Sequence, residues 1–245
     1  MGKGRVLVVA TSHGRMGASG EATGVWLEEL ATPYYVLLDA GAEVTLASVR
    51  GGEIPFDPRS VPAPSGTASS GEEPAGEQEL PPSVHRFLAD GRSMAAARDT
   101  PAVGDVDGAM FDAVFLPGGH GAMWDLPESG ALARLVGALF DQGRVVAAVC
   151  HGPAGLVSAR RRDGRPIVEG REVTAFTNSE ERAVGLDKIV PFLLEDRLEE
   201  LGARFVGGPD WQPHAVRHGN LITGQNPQSS ELVARHVLEA LGEAA

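Results

Sequence analysis

Short apolar runs bounded by glycine and proline recur along the chain, with amphipathic stretches between them. Arg5 to Ala10, Val44 to Ser48, Ala113 to Leu116 and Val145 to Val149 are mostly β-branched and lack polar alternation, so they read as strands covered on both faces. Gly24 to Ala40 and Leu132 to Asp141 carry apolar residues at helical spacing, and Gly41 and Gly143 sit where these helices should stop. Pro33 suggests a break or a second helix start inside the first of them. Beyond Val149 the pattern predicts a helix through Pro153 to Ser158, a hairpin around Pro166 to Thr174 and a helix from Ile189 to Leu201. Short strands near Phe205 and Leu221 and a closing helix from Gln228 to Leu241 follow. Strands alternating with helices predict an α/β fold with a mostly parallel sheet, and the unbroken pattern predicts one domain over residues 1–245.

Val61 to Pro82 interrupts this pattern. Its 22 residues include five Pro, three Gly, three Ser and four Glu, with scarcely a large apolar side chain. Such a segment buries too little surface to offset its ordering entropy, so a mobile acidic insertion is expected, with a lid as the alternative.

Charge narrows the partners. Lys and Arg total 21 against 33 Asp and Glu, a net charge of -12, which repels phosphate backbones and anionic lipid. Neither nucleic acid nor a membrane is an expected partner. The N-terminal apolar run is too short for a signal sequence, and no run approaches a membrane span, so a cytoplasmic location is expected. Cys150 is the one cysteine, which excludes an intramolecular disulfide and a multi-thiolate zinc site.

That cysteine carries the strongest chemical signal. Val145-Val146-Ala147-Ala148-Val149-Cys150-His151-Gly152-Pro153-Ala154 places the thiol at the end of a buried strand, just before glycine and an expected helix start. This is the pattern of a nucleophile elbow, with the side chain at the carboxyl edge of the sheet and a helix N-terminus favouring the thiolate. A buried structural cysteine is the plain alternative. Phe115-Leu116-Pro117-Gly118-Gly119-His120-Gly121 follows another strand. Its glycines let amides approach a ligand, so Gly119 and the His151 amide could hold an oxyanion, with Gly118 and His120 as further substrate contacts.

Together with Thr23 to Leu30 (TGVWLEEL), Ala175 to Glu181 (AFTNSEE) and Leu221 to Pro227 (LITGQNP), these stretches resemble the DJ-1/PfpI superfamily, in the branch of Hsp31-type glyoxalases and chaperones. The resemblance spans nearly the whole chain outside the acidic insertion. It implies a flavodoxin-like sandwich, a nucleophile at Cys150, a glutamate beside it at Glu29, and a homodimer. Glu28 competes for that place, but on a helix starting at Gly24 it points about 100° away from the face shared by Val25 and Glu29. A carboxyl raised toward neutrality by burial could shuttle protons beside the thiol. His151 after the cysteine is typical of the family, and an acid orients it. Asn178 stands where some relatives carry Asp and cannot be charged, so Glu181 is expected in that role over Glu180.

The activity this implies is glutathione-independent conversion of methylglyoxal, or a similar small 2-oxoaldehyde, to a 2-hydroxy acid, with no cofactor and no metal. Removal of glyoxal-derived adducts from proteins would need the same groups. A holding chaperone and a cysteine hydrolase of small substrates are the competing readings. A metal site using His120 or His85 lacks a spaced ligand motif. A class I glutaminase would need a late His-x-Glu pair, and His214, His218 and His236 are followed two places on by Val216, Asn220 and Leu238.

Overall fold

The four apolar runs form four adjacent strands of a six-stranded sheet, with Val44 to Ser48 at its edge and only partly covered, in the computed structural model, which describes residues 4–62 and 80–243. In chain order the strands are β1 (Arg5–Ala10), β2 (Glu43–Ser48), β3 (Ala113–Leu116), β4 (Val145–Val149), β5 (Ala215–His218) and β6 (Leu221–Gly224). Their spatial order is β2-β1-β3-β4-β6-β5, parallel throughout except for the β5–β6 pair. This is a doubly wound, flavodoxin-like order. Registers Leu116↔Ala148 and Val149↔Gly224 bring the carboxyl ends of β3, β4 and β6 level.

Successive side chains of each strand face opposite ways. Leu7, Val9, Val114, Leu116 and Val146 join one core with α5 (Gly130–Asp141) and α7 (Leu194–Glu200), while Val6, Val8, Phe115 and Val149 join another with α1 (Leu27–Asp39) and α8 (Ser230–Glu243). The three-layer sandwich therefore leaves these central strands no solvent face, which explains why their sequences do not alternate. Two further helices, α2 (Pro82–Ala89) and α3 (Gly91–Arg98), extend the second core through Phe87 and Ala97. The short helices α4 (Ala122–Asp125) and α6 (Asn178–Ala183) follow the β3 turn and Thr177 respectively.

Several expectations are corrected. Helix α1 continues through Pro33. A proline there removes one backbone bond to the carbonyl of Glu29, but the buried face of Leu27, Leu30, Ala31 and Leu37 holds the helix together. The elbow is followed by a 3-10 turn, Gly152–Leu156, instead of an α-helix through Ser158. No hairpin forms around Pro166 to Thr174: the tight turn lies between Arg160 and Pro166, and Glu172–Val173 pairs in parallel with Arg204–Phe205. The helix expected from Ile189 begins only at Leu194, because Pro191 disfavours helical backbone at the residue before it. Of the insertion expected over Val61 to Pro82, residues 63–79 lie outside the described residues; Pro82 already opens α2. No helix among the described residues is long and apolar enough to cross a membrane.

Candidate active site

Cys150 has φ 58, a left-handed conformation that a non-glycine residue rarely adopts. The strained turn is held on both sides, since Cys150 N–H donates to the Gly224 carbonyl at 2.9 Å and Phe176 N–H donates to the Cys150 carbonyl at 2.9 Å. It also demands small neighbours. A Cβ at Gly152 would lie 2.0 Å from the Leu116 carbonyl oxygen, and one at Gly118 would lie 2.5 Å from the His151 nitrogen and 2.7 Å from Glu29 Oε2. The glycines around the elbow thus let β3 and β4 deliver their loops to a single point.

Glu29, in the first turn of α1, is fully buried beside the thiol. Its Oε2 accepts the Gly118 N–H at 2.8 Å, and its Oε1 has no hydrogen-bond partner among the described residues. Burial raises its carboxyl well above the ordinary range, against the opposing influence of the nearby Cys150 thiol and the Gly118 amide. Glu28 lines the same pocket, and burial pushes its carboxyl up to about 7.

The other side of the site is a chain of hydrogen bonds. His151 Nδ1 lies 3.3 Å from Cys150 Sγ, and His151 Nε2 lies 2.8 Å from Glu181 Oε2. Glu181 Oε1 in turn meets His120 Nε2 at 2.9 Å. Burial alone would raise the Glu181 carboxyl, but the two imidazoles outweigh it and hold it well below the usual carboxylate range. An ionised carboxylate only accepts, so the network assigns a hydrogen to Nε2 of each histidine, and Nδ1 of His151 faces the thiol.

The sequence pattern of the DJ-1/PfpI family matches residues 89–240. A glutathione-independent glyoxalase of Schizosaccharomyces pombe is 31% identical, with 97% of this chain and 96% of that protein covered. The chain belongs to the DJ-1/PfpI family. A glutathione-independent glyoxalase of Saccharomyces cerevisiae is 30% identical over 97% of this chain and 98% of its own length. Among solved structures, the Rapid Encystment Protein of Francisella tularensis superposes with a TM-score of 0.86 at 36% identity, covering 98% of this chain and 99% of that one. Glyoxalase III of Candida albicans gives 0.83 at 26% identity, with 97% of each chain covered.

Within this DJ-1/PfpI site, three sequence expectations change. The thiol is not driven toward thiolate by a helix N-terminus: burial and then the Glu29 charge push Cys150 well above its ordinary value, with Gly119 N–H at the sulfur opposing them. The five-residue 3-10 turn offers few aligned peptide dipoles to counter this. Gly118 is not a free oxyanion donor, because its amide already serves Glu29. Nor is His120, whose Nε2 serves Glu181 and whose Nδ1 faces the Arg59 guanidinium at 3.5 Å. Burial, and then neighbouring His151, lower His120 to about 4, so it is neutral and has one ring hydrogen to give.

Glu180 and Glu181 point to different tasks. Glu180 forms a capping box with Thr177 and accepts from Asn226 and Trp211, whereas Glu181 takes both histidines. Asn178 lies elsewhere, donating to Asp196. His120, His151 and Glu181 offer metal-type ligand atoms within 4.8 Å of one another, but their carboxylate–imidazole hydrogen bonds account for that spacing. His85 stands apart on the pocket rim. Sequence reasoning missed Asp57 and Arg59, paired at 2.8 Å against His120, and missed Trp26 and Trp211 on the pocket wall. The adjacent DPR stretch after an apolar run signalled a turn; nothing local marked Trp211.

Proposed function

We propose that this chain is a glutathione-independent glyoxalase of the glyoxalase III type, converting methylglyoxal or a similar 2-oxoaldehyde to the 2-hydroxy acid. The observation that carries the reading is Glu29: a fully buried carboxyl with one unpartnered oxygen, coupled to a thiol that also contacts an imidazole. The relatives that bear this activity in their names align with the chain over almost their entire length.

In this mechanism Cys150 Sγ bonds to the aldehyde carbon, its proton passes to His151 Nδ1, and protonated Glu29 gives its proton to the aldehyde oxygen. The resulting hemithioacetal leaves Glu29 as a carboxylate. Glu29 then removes the hydrogen from C1, the electrons move toward the ketone oxygen, and His151 protonates that oxygen to form an enediol. Return of the Glu29 proton to C2, with loss of the C1 hydroxyl proton to His151, gives a 2-hydroxy thioester. Water adds to the thioester, the C1–S bond breaks, and the acid leaves. His151 returns a proton to sulfur and the water supplies the one regained by Glu29. The raised carboxyl suits this cycle because Glu29 acts first as an acid and then as a base. Glu181 orients His151 and stabilises its imidazolium, and the Gly119 amide supports developing negative charge.

Incubation with methylglyoxal in the absence of glutathione tests the reading. Aldehyde loss matched by lactate for the wild type, and neither for Cys150→Ala, is the expected result; lactate formation that survives Cys150→Ala overturns it. Adduct removal from proteins, a homodimer and a cytoplasmic setting belong to the same proposal, and sedimentation of the purified protein tests the dimer.

A further inference from the structure

The cavity above Cys150 holds about 1050 Å³, far more than a three-carbon aldehyde fills. Trp26, Phe176 and Trp211 supply aromatic surface to it. Trp211 is the unusual member, because its backbone has φ 60 while the residue remains 38% exposed. A strained left-handed backbone at a non-glycine residue on the cavity wall persists only where its surroundings enforce it.

The strain is imposed by a built support. Trp211 N–H donates to Glu180 Oε1 at 2.9 Å, and the same oxygen accepts from Asn226 Nδ2 at 2.8 Å and Gln225 Nε2 at 3.2 Å. Glu180 Oε2 accepts from the amide and hydroxyl of Thr177, both at 3.1 Å. Residues on either side are tied as well: Asp210 accepts from Ser179 at 2.6 Å, and the Gln212 carbonyl accepts from Asn226 at 3.0 Å. Fully buried Glu180 therefore joins three loops, including the one whose next residue, Glu181, orients His151.

Aromatic contacts lead outward from the chemistry. The Phe176 ring lies 4.5 Å from the His151 ring, and Trp211 meets Phe176 edge-on at 5.7 Å. Both rings line the cavity that also holds Cys150, so a Cys150 adduct with a substituent larger than methyl has further aromatic surface to meet. Arg59 also lines the cavity, but two hydrogen bonds to Asp57 neutralise it, so the wall favours an apolar over an anionic substituent.

The geometry points to Trp211 as a specificity-determining residue, held by Glu180 as a positioning residue, in a site built for 2-oxoaldehydes with a bulky apolar or aryl group. This inference rests on the glyoxalase reading and names its substrate class. Initial rates without glutathione, with phenylglyoxal and methylglyoxal as paired substrates, test it. The wild type is expected to favour phenylglyoxal in kcat/KM by about tenfold or more, the scale of burying one additional apolar group. Trp211→Gly suits the left-handed backbone and so keeps the fold. It is expected to lower the phenylglyoxal to methylglyoxal ratio about tenfold, chiefly through KM for phenylglyoxal, with Trp211→Phe recovering most of the loss. Glu180→Gln, checked for folding by circular dichroism, is expected to move the same ratio in the same direction. A ratio unchanged in folded Trp211→Gly, or a wild type that favours methylglyoxal, overturns the inference and leaves the glyoxalase reading intact. Failure of the wild type to convert either aldehyde overturns both.

Discussion

Glu29 and Glu181 both bear on Cys150, one directly and the other through His151, yet their surroundings drive their protons in opposite directions. Around Glu29 there are one amide donor and a thiol, while Glu28 and Asp57 act in the same direction as burial, so burial dominates and the carboxyl is raised well above the ordinary range. Around Glu181 there are two imidazoles, one at each oxygen, and they overcome a similar burial to keep it ionised. Residue type and helix position do not separate these glutamates. The kind of donor each carboxyl meets does, an amide and a thiol against two imidazoles, and this is how one pocket can hold an acid and an anion together.

Removing each carboxylate tests that contrast most severely. Glu29→Gln retains the shape but not the proton shuttle, so methylglyoxal turnover is expected to fall by roughly 10² to 10⁴ while a Cys150 adduct remains detectable by mass spectrometry. Glu28→Gln, measured beside it, should have the smaller effect; the reverse order would move the shuttle to Glu28. Glu181→Gln removes the charge that orients His151 without touching substrate, and a smaller loss of about 10²-fold is expected, with the acidic limb of the pH–rate profile displaced. An unchanged profile would remove Glu181 from the relay.

A third test concerns the glycine that lets the two halves meet. Gly118→Ala forces a Cβ against the His151 amide and Glu29 Oε2, so unfolding should become easier by about 1–3 kcal/mol in urea titrations. Full stability together with full activity would show that the loop can yield.

The subtlest test uses pH. Glu29 has a raised folded value, so above the ordinary carboxylate range the unfolded chain releases a proton that the folded protein keeps, and this contribution to stability falls as pH rises toward the folded value. Glu181 has a depressed folded value, so its contribution is present above the ordinary carboxylate range and is lost as pH falls through and below it. Melting temperatures of the wild type, Glu29→Gln and Glu181→Gln, taken from below to above the ordinary carboxylate range, should give wild-type-minus-variant differences that fall with rising pH above that range for Glu29 and rise with pH through and below it for Glu181. Slopes of the same sign would break the comparison.

Much of the fold was legible locally. Val145–Val149 could be recognised as a doubly covered strand because a short, wholly apolar, β-branched run has few other stable placements, and Cys150-His151-Gly152 after it could be read as an elbow because a tight turn there needs small neighbours. Glu29 could be preferred to Glu28 because helical phase turns neighbouring positions about 100° apart and the family resemblance points to Glu29; folding buries Glu29 fully while leaving both on the pocket wall. Pro33 misled for the converse reason: its local penalty is outweighed by the buried face of α1, which depends on residues far away in sequence.

What only the tertiary structure decided concerns protons and walls. The sequence pointed to a reactive thiol, but its upward shift arises from burial and from Glu29, which lies 121 positions earlier in the chain than Cys150. The engagement of Gly118 by Glu29 and of His120 by Glu181 is equally long-range, and it commits polar groups of two expected substrate contacts to the hydrogen-bond network. Trp211 carries no local signal because its strained backbone is set by Glu180, Gln225 and Asn226 from other elements. A sequence alone can determine where strands end and which side chains share a face, since those follow from local periodicity and sterics. Proton affinity and pocket shape depend on desolvation and on hydrogen-bond donors that only folding brings together.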